Sequence, residues 1–321
     1  MNQAADTFDA GADAAPRLFV VMPTHDRWGE ARVSLACLLR SDYRNFEIVL
    51  VEDGCTDGTA EKCRAEFPQV RILHGDGDLW WSGAINLGVA DALARGAELV
   101  VWLNDDNRVE PTTLSSLVES FRRNGARSVV CARVRAPGTG EGEWTGAPPP
   151  WHPEHESWRA PVLAGVRDLP IRHPPGGQGV LIPAAAFREI GTVDARAFPH
   201  YWADHDFHYR AMRAGYRYFI ATEAAVWNRP NEERPQASKI FDSWRGAWWF
   251  MTNRRSPMNM PTLRRLLRRH LAPRQYRRAF YPLLARHAGW LAYGWLQKKS
   301  AIHRPLRAAK RAIFGGGTRR A

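Results

Sequence analysis

The chain has 321 residues, 45% of them hydrophobic, which is enough to bury a sizeable core and excludes a disordered or fibrous protein. Its formal net charge of +12 is unevenly placed: residues 243–321 hold 19 Lys and Arg and no Asp or Glu, whereas residues 1–242 hold 26 basic and 33 acidic side chains. The four cysteines, Cys37, Cys55, Cys63 and Cys131, form no C-x-x-C pair and no cluster with histidine, so neither a zinc site nor a disulfide framework is expected and a reducing cytoplasm fits.

Residues 1–16 are small, polar and acidic, without the basic start and apolar run of a signal peptide, and read as a disordered leader. Apolar runs at 18–22, 46–51, 70–73 and 99–103 alternate with helix-compatible stretches at 29–40, 59–67 and 85–95. Near-continuous Val, Ile and Leu runs in that alternation imply an α/β domain with parallel strands covered on both faces. Residues 137–175 are rich in Pro, Gly, Trp and His and read as a long loop, a candidate lid. Strands are expected again at 179–182 and 216–220, with helices near Ala184 and over 204–214. Beyond residue 243, helix-like pieces at 262–271, 282–297 and 306–314 are dense in Arg, Trp and Leu, and none is an uninterrupted apolar span of membrane length.

Ligands of such sheets bind beyond the carboxyl ends of the strands. Those ends carry Pro23-Thr24-His25-Asp26-Arg27, Glu52-Asp53-Gly54 and Asn104-Asp105-Asp106, which brings several carboxylates to one rim. Packed carboxylates raise each other's pKa unless a cation intervenes, and oxygen-only ligands favour Mg²⁺ or Mn²⁺ bound together with a substrate phosphate. No G-x-G-x-x-G follows the first strand and no G-x-x-x-x-G-K-[ST] occurs, so a dehydrogenase and a P-loop nucleotidase are disfavoured.

The ordered segments VVMPTHDR, VEDGCTDGT, SGAINLGV and WLNDD, followed by PGGQGVLIP, IGTVD and HYWADHDFHYRAMRAGY, resemble the inverting glycosyltransferases of family two, which have the GT-A fold and include rhamnosyltransferase-like bacterial glycan enzymes. The resemblance covers residues 17–230. It implies a catalytic domain over 17–242, with a nucleotide-binding half at 17–110 and an acceptor half at 111–242, and a basic helical extension at 243–321. By position, Pro23, Thr24, Asp53, Asn86, Asn104 and Asp105 would bind a nucleoside-diphosphate-sugar, Asp53 accepting from the base. Asp106 would hold the metal. Asp204 would be the general base that takes the proton from the acceptor hydroxyl. Gly176, Gly177 and Gln178 would line the acceptor and sugar pocket, with Trp80 and Trp81 either a platform for a sugar face or core packing. Three positions depart from the family pattern: Ala203 stands where Glu is common, Ala84-Ile85 where Ala-Arg is common, and Asn228 where a metal-binding His often follows a strand.

Simpler readings stand beside these. Asn104-Asp105-Asp106 could be an acidic turn capping a helix, and Asp206 is spaced to form an ordinary i,i+4 ion pair with Arg210. His25, His200 and His205 are read as hydrogen-bonding partners rather than ligands. The acceptor would be a glycan or a lipid-linked glycan, added to at the inner face of the cell membrane, and the amphipathic Arg-rich helices of 243–321 suit an anionic membrane surface or a homo-oligomer contact. A nucleotidyltransferase would show a Gly-rich, Lys- or Arg-bearing loop after the first strand. A nucleic-acid-binding role through the tail would leave the acidic half unexplained, and no nucleic acid is expected as a partner.

Overall fold

The hydrophobic runs at the start of the chain form the centre of one sheet. The computed structural model describes residues 15–135, 165–172, 176–228 and 244–296. It divides into two units, residues 1–230 and 231–321. In the first unit the chain runs β1 (Leu18–Thr24), α1 (Trp28–Leu38), β2 (Phe46–Asp53), α2 (Thr59–Glu66), β3 (Arg71–Gly75), α3 (Trp80–Ala94) and β4 (Leu99–Trp102). It continues through β5 (Asn107–Val109), α4 (Thr113–Asn124), β6 (Ser128–Arg135), β7 (Asp168–Ile171), β8 (Val180–Pro183), α5 (Ala184–Ile190), α6 (Ala203–Arg213) and β9 (Arg217–Asn228).

The sheet order is β3-β2-β1-β4-β8-β6-β9-β5, with β7 also paired to β9, on the side away from β6. β1 to β4 are mutually parallel, joined by helical crossovers as the alternation implies. Leu18 to Met22 and Leu99 to Trp102 are buried throughout, which explains why these strands read as continuous apolar runs. Gly88 lets α3 lie directly on the sheet, because a Cβ there would overlap the Val21 side chain.

Past β4 the sheet is mixed rather than mostly parallel. β8 runs antiparallel to β4 and β6, and β5 and β7 run antiparallel to β9. That reversal has a functional consequence: Val180 at the start of β8 pairs with Trp102 at the end of β4, and the Gly179 N–H donates to the Trp102 carbonyl at 2.9 Å. The segment just before β8 therefore reaches the rim where β1, β2 and β4 end.

Elements α4, β5 and β6 were not expected from the sequence, and β7 lies inside the stretch expected to be loop. Residues 137–164 and 173–175 of that loop, 1–14 of the leader and the helix expected at 306–314 lie outside the described residues. α3 begins at Trp80, five residues before the expected start, so Trp80 and Trp81 open a helix.

The second unit contains α7 (Trp244–Thr252), α8 (Met260–His270) and α9 (Pro273–Leu296), which pack on one another. Asn259 caps α8 by accepting from the Thr262 N–H at 2.9 Å, with Pro261 in the first turn where its missing N–H costs nothing. Leu263, Leu266 and Leu267 are buried. Among the described residues no helix is long and apolar enough to cross a membrane.

Candidate active site

Thr24, the last residue of β1, is buried and donates its hydroxyl to Asp105 Oδ2 at 2.9 Å. Arg27, from the loop after β1, donates to Asp105 Oδ1 at 2.9 Å and reaches Asp106 Oδ2 only at 3.4 Å. Burial pushes the Asp105 carboxyl up to about 6, with the like charge of Asp106 adding to it against the pull of Arg27 and Thr24. The other Asp106 oxygen accepts from Asn107 Nδ2 at 3.4 Å. Its contacts are thus long, and a carboxylate with about four acceptor positions keeps capacity for a cation. Asn104 faces the other way, accepting from the Trp81 indole N–H at 3.0 Å.

Asp53 ends β2, and three backbone N–H groups converge on its carboxylate: Gly77 at 2.8 Å and Leu79 at 3.3 Å on Oδ1, and Trp80 at 2.9 Å on Oδ2. Asp53 therefore moulds the turn that opens α3. The turn is tight. A Cβ on Gly54 would come within 2.7 Å of the Gly77 Cα, and Trp80 itself is held at φ +57. Trp80 donates to Asp78 at 2.6 Å and packs edge-on to His200, ring centroids 5.6 Å apart. Trp81 stands edge-on to the buried Trp102 at 5.7 Å, and Gly177 lies against it so closely that a Cβ would overlap the indole.

Asp204 sits in the first turn of α6, after Trp202 at φ +75. Its Oδ1 accepts from the His205 backbone N–H at 2.8 Å and lies 3.0 Å from His205 Nδ1. Oδ2 is the oxygen nearest Gly176, 3.8 Å from where a Cβ would stand. Burial raises this carboxyl, but the charge and hydrogen bonds of His205 hold it below the ordinary carboxylate value. One turn on, His208 is fully buried, 3.0 Å from the Tyr218 hydroxyl, and burial pushes it down to about 3, so it stays neutral.

Gln178 ties the two halves together. Its Oε1 accepts from Asn107 Nδ2 at 3.3 Å and Asn228 Nδ2 at 3.0 Å, across the pairing of Asn107 with Asn228 between β5 and β9. Asn228 Oδ1 is buried without a hydrogen-bond partner.

Asn86 and the group Asp26, Cys55 and Asp57 each have contacts of their own. Asn86 spends both halves of its amide on Val193, donating to its carbonyl at 2.9 Å and accepting from its N–H at 3.1 Å. It pins the Ile190–Asp194 turn to α3 through one N–H and one lone pair of the amide, which keeps a second N–H and a second lone pair. Asp26, Cys55 and Asp57 also bring ligand atoms within 4.8 Å of one another. Backbone N–H groups of Thr56, Trp28 and Thr59 already occupy the two carboxylates, and burial pushes the thiol up to about 11, so this group makes a poor cation site. The ion pair expected between Asp206 and Arg210 is present at 3.0 Å. Arg210 also donates to the Ile190 and Thr192 carbonyls, each at 2.6 Å, which gives the pair a structural role.

Residues 19–167 match the family described as Glycosyl transferase family 2. Over that segment, just under half of the chain, the protein is similar to family 2 glycosyltransferases. GlyG, a glycosyltransferase of Streptococcus pneumoniae, is 29% identical over 114 residues, 35% of this chain and 37% of that protein. N-acetylglucosaminyl-diphospho-decaprenol L-rhamnosyltransferase of Mycobacterium tuberculosis is 26% identical over 267 residues, 75% of this chain and 86% of that protein. The chain thus spans well under half of GlyG and most of the rhamnosyltransferase. Among solved structures, mannosyltransferase PcManGT from Pyrobaculum calidifontis, in complex with GDP-Man and Mn²⁺, superposes with a TM-score of 0.58 at 17% identity, covering 97% of this chain and 82% of that one. GalNAc-T7 with UDP, GalNAc and Mn²⁺ gives 0.56 at 14% identity, covering 85% of this chain and 54% of that one. At such identities the likeness establishes the fold, which is GT-A.

Thr24, Asp53, Asn104, Asp105, Asp106, Trp81 and Gln178 gather at one rim, and Asp204 turns one oxygen toward Gly176. Sequence reading missed Arg27, Asn107 and His208 as parts of the site. Arg27 lay inside the VVMPTHDR segment and its charge beside an acidic rim was the available signal. Asn107 and His208 act only through contacts made by folding.

Proposed function

We propose that the protein transfers a sugar from a nucleoside-diphosphate-sugar to a hydroxyl of a glycan or lipid-linked acceptor, with inversion. The observation that carries this reading is the difference between two carboxylates at the site. Asp106 keeps spare acceptor capacity beside Arg27, while Asp204 is ionised, fixed by His205 through one oxygen and turned toward Gly176 with the other.

A divalent metal, Mg²⁺ or Mn²⁺, fits the donor set: Asp106 has only long contacts, and the buried Asn228 Oδ1 lacks a partner at the place where a ligand would be sought. Asp106 would hold the ion, which when bound supplies charge neutralisation of the diphosphate. PcManGT and GalNAc-T7, each with Mn²⁺ in its structure, support this.

Pro23, Thr24, Asn104 and Asp105 shape the donor side, Asp53 acting by holding the Gly77–Trp80 turn. Asp204 takes the proton from the acceptor hydroxyl as that oxygen attacks the anomeric carbon from the face opposite the diphosphate. His208 behind Asp204 is neutral, and His205 fixes Oδ1 while Oδ2 is left toward Gly176 to accept the proton. Gly177 admits Trp81 to the pocket wall, and Trp80 beside it offers a ring to a sugar face. The name of the mycobacterial rhamnosyltransferase, which acts on a decaprenol-linked sugar, supports a lipid-linked acceptor and a place for residues 243–321 at the inner surface of the cell membrane.

Thermal stabilisation by a panel of nucleotide-sugars, with and without Mn²⁺, tests the reading. Metal-dependent stabilisation by one or two donors is expected; the absence of any shift across the panel contradicts it.

A further inference from the structure

The α8 leucines cannot supply a membrane contact, because Leu263, Leu266 and Leu267 are buried. A different face of the second unit is open. On α9, Arg274, Arg277, Tyr281, Leu284 and Ala288 recur at alternating three- and four-residue spacing, which places them on one stripe, and all five are exposed. The opposite side of the same helix buries Ala279, Leu283 and His287. At its apolar end the stripe meets α7: Leu284, 44% exposed, and Trp248, 55% exposed, share the wall of a cleft of about 250 Å³. Met251, Met260, Pro261, Ala288 and Leu291 complete its apolar lining, with Thr252 and His287 the polar residues in it.

We propose that this α7–α9 face docks on an anionic lipid surface, the Trp248–Leu284 cleft taking lipid tails and Arg274 and Arg277 meeting headgroup phosphates. The proposal rests on the lipid-linked acceptor inferred above and names the surface that would bring the enzyme to it. Charge complementarity selects the occupant. Residues 243–321 contain no Asp or Glu, so the face has nothing of its own to answer its arginines, and a second copy would bring like charges together. A single-stranded nucleic acid would need a row of aromatic platforms along a polar groove, whereas here Tyr281 is the one aromatic residue on the stripe and Trp248 borders a cleft whose lining, Thr252 and His287 apart, is apolar. Large apolar side chains at one end of a stripe and arginines at the other match the boundary between acyl chains and headgroups.

The test is flotation of the full chain with vesicles of phosphatidylcholine alone and of phosphatidylcholine mixed with phosphatidylglycerol. Binding to the anionic vesicles only is expected. The pairs Trp248→Ser with Leu284→Ser, and Arg274→Gln with Arg277→Gln, should each weaken it roughly tenfold or more, the second pair removing most of the salt dependence. The arginine pair lies on the exposed stripe and leaves the packing intact; unchanged donor-induced thermal stabilisation in both pairs checks that the catalytic unit is intact. Wild-type-like flotation of both pairs, or no binding to anionic vesicles, overturns the proposal. Salt-sensitive binding of single-stranded RNA without vesicle binding also overturns it and assigns the face to nucleic acid. Failure of every donor to stabilise the wild type would instead sink the glycosyl-transfer reading, whatever the vesicles show.

Discussion

Arg27 lies 2.9 Å from Asp105 and 3.4 Å from Asp106, so one guanidinium answers two adjacent carboxylates unevenly. The buried Asp105 takes the close contact together with the Thr24 hydroxyl, and Asp106 is left for another cation. Removing Arg27 should expose this division. Arg27→Ala is expected to destabilise the metal-free protein by about 2 kcal/mol, since it strands a buried carboxylate, and Mn²⁺ should restore part of the loss. Chemical denaturation with and without Mn²⁺ measures both; equal loss in both conditions would count against Asp106 as the ion's ligand.

Asp105 makes stability depend on pH in a defined sense. Its carboxyl is raised to about 6 in the fold from an ordinary 3.8, so its contribution is fully present below the ordinary value and is lost as pH rises through about 6. Against Asp105→Asn, the metal-free wild type should lose about 2–3 kcal/mol between pH 4 and 7, the equivalent of a two-unit shift. Parallel pH–stability curves for the two proteins would contradict the assignment.

His208 acts in the opposite sense. Burial lowers it to about 3 from an ordinary 6.5, so its stabilisation is present above the ordinary value and is lost as pH falls toward 3. His208→Phe should flatten the acid limb of thermal stability while giving up the Tyr218 contact. A mutant whose acid limb is as steep as the wild type's would show that other groups set it.

The first half of the sheet was legible because β1, β2 and β4 are buried on both faces and so spell themselves as apolar runs. The reversal after β4 was not. Val180 to Pro183 is a four-residue strand, and nothing in VLIP states its direction or its partner. Asp105, Asp106 and Asp204 could be picked out by position in their motifs. The contact of Asn86 with Val193 could not be read from the sequence, because Val193 is 107 residues away and the pairing exists only in the folded chain. Nor could the hold of the Asp53 carboxylate on the backbone of the Gly77–Trp80 turn be read from its motif.

Asn86→Ala is accordingly expected to act through the fold. It should lower stability by about 1–3 kcal/mol, leaving the Val193 backbone groups unanswered, and raise the donor KM no more than about threefold in protein kept folded. A large rise in KM at unchanged stability would return Asn86 to the nucleotide.

The most direct test compares Asp106→Ala with Asp204→Asn by donor binding and by turnover. Asp204→Asn should keep metal-dependent donor binding within about twofold while transfer falls by roughly 10²–10⁴. Asp106→Ala should lose the metal-dependent part of donor binding itself. Wild-type turnover in either variant, or loss of donor binding in Asp204→Asn equal to that in Asp106→Ala, would contradict the division of the site into a donor carboxylate and an acceptor base.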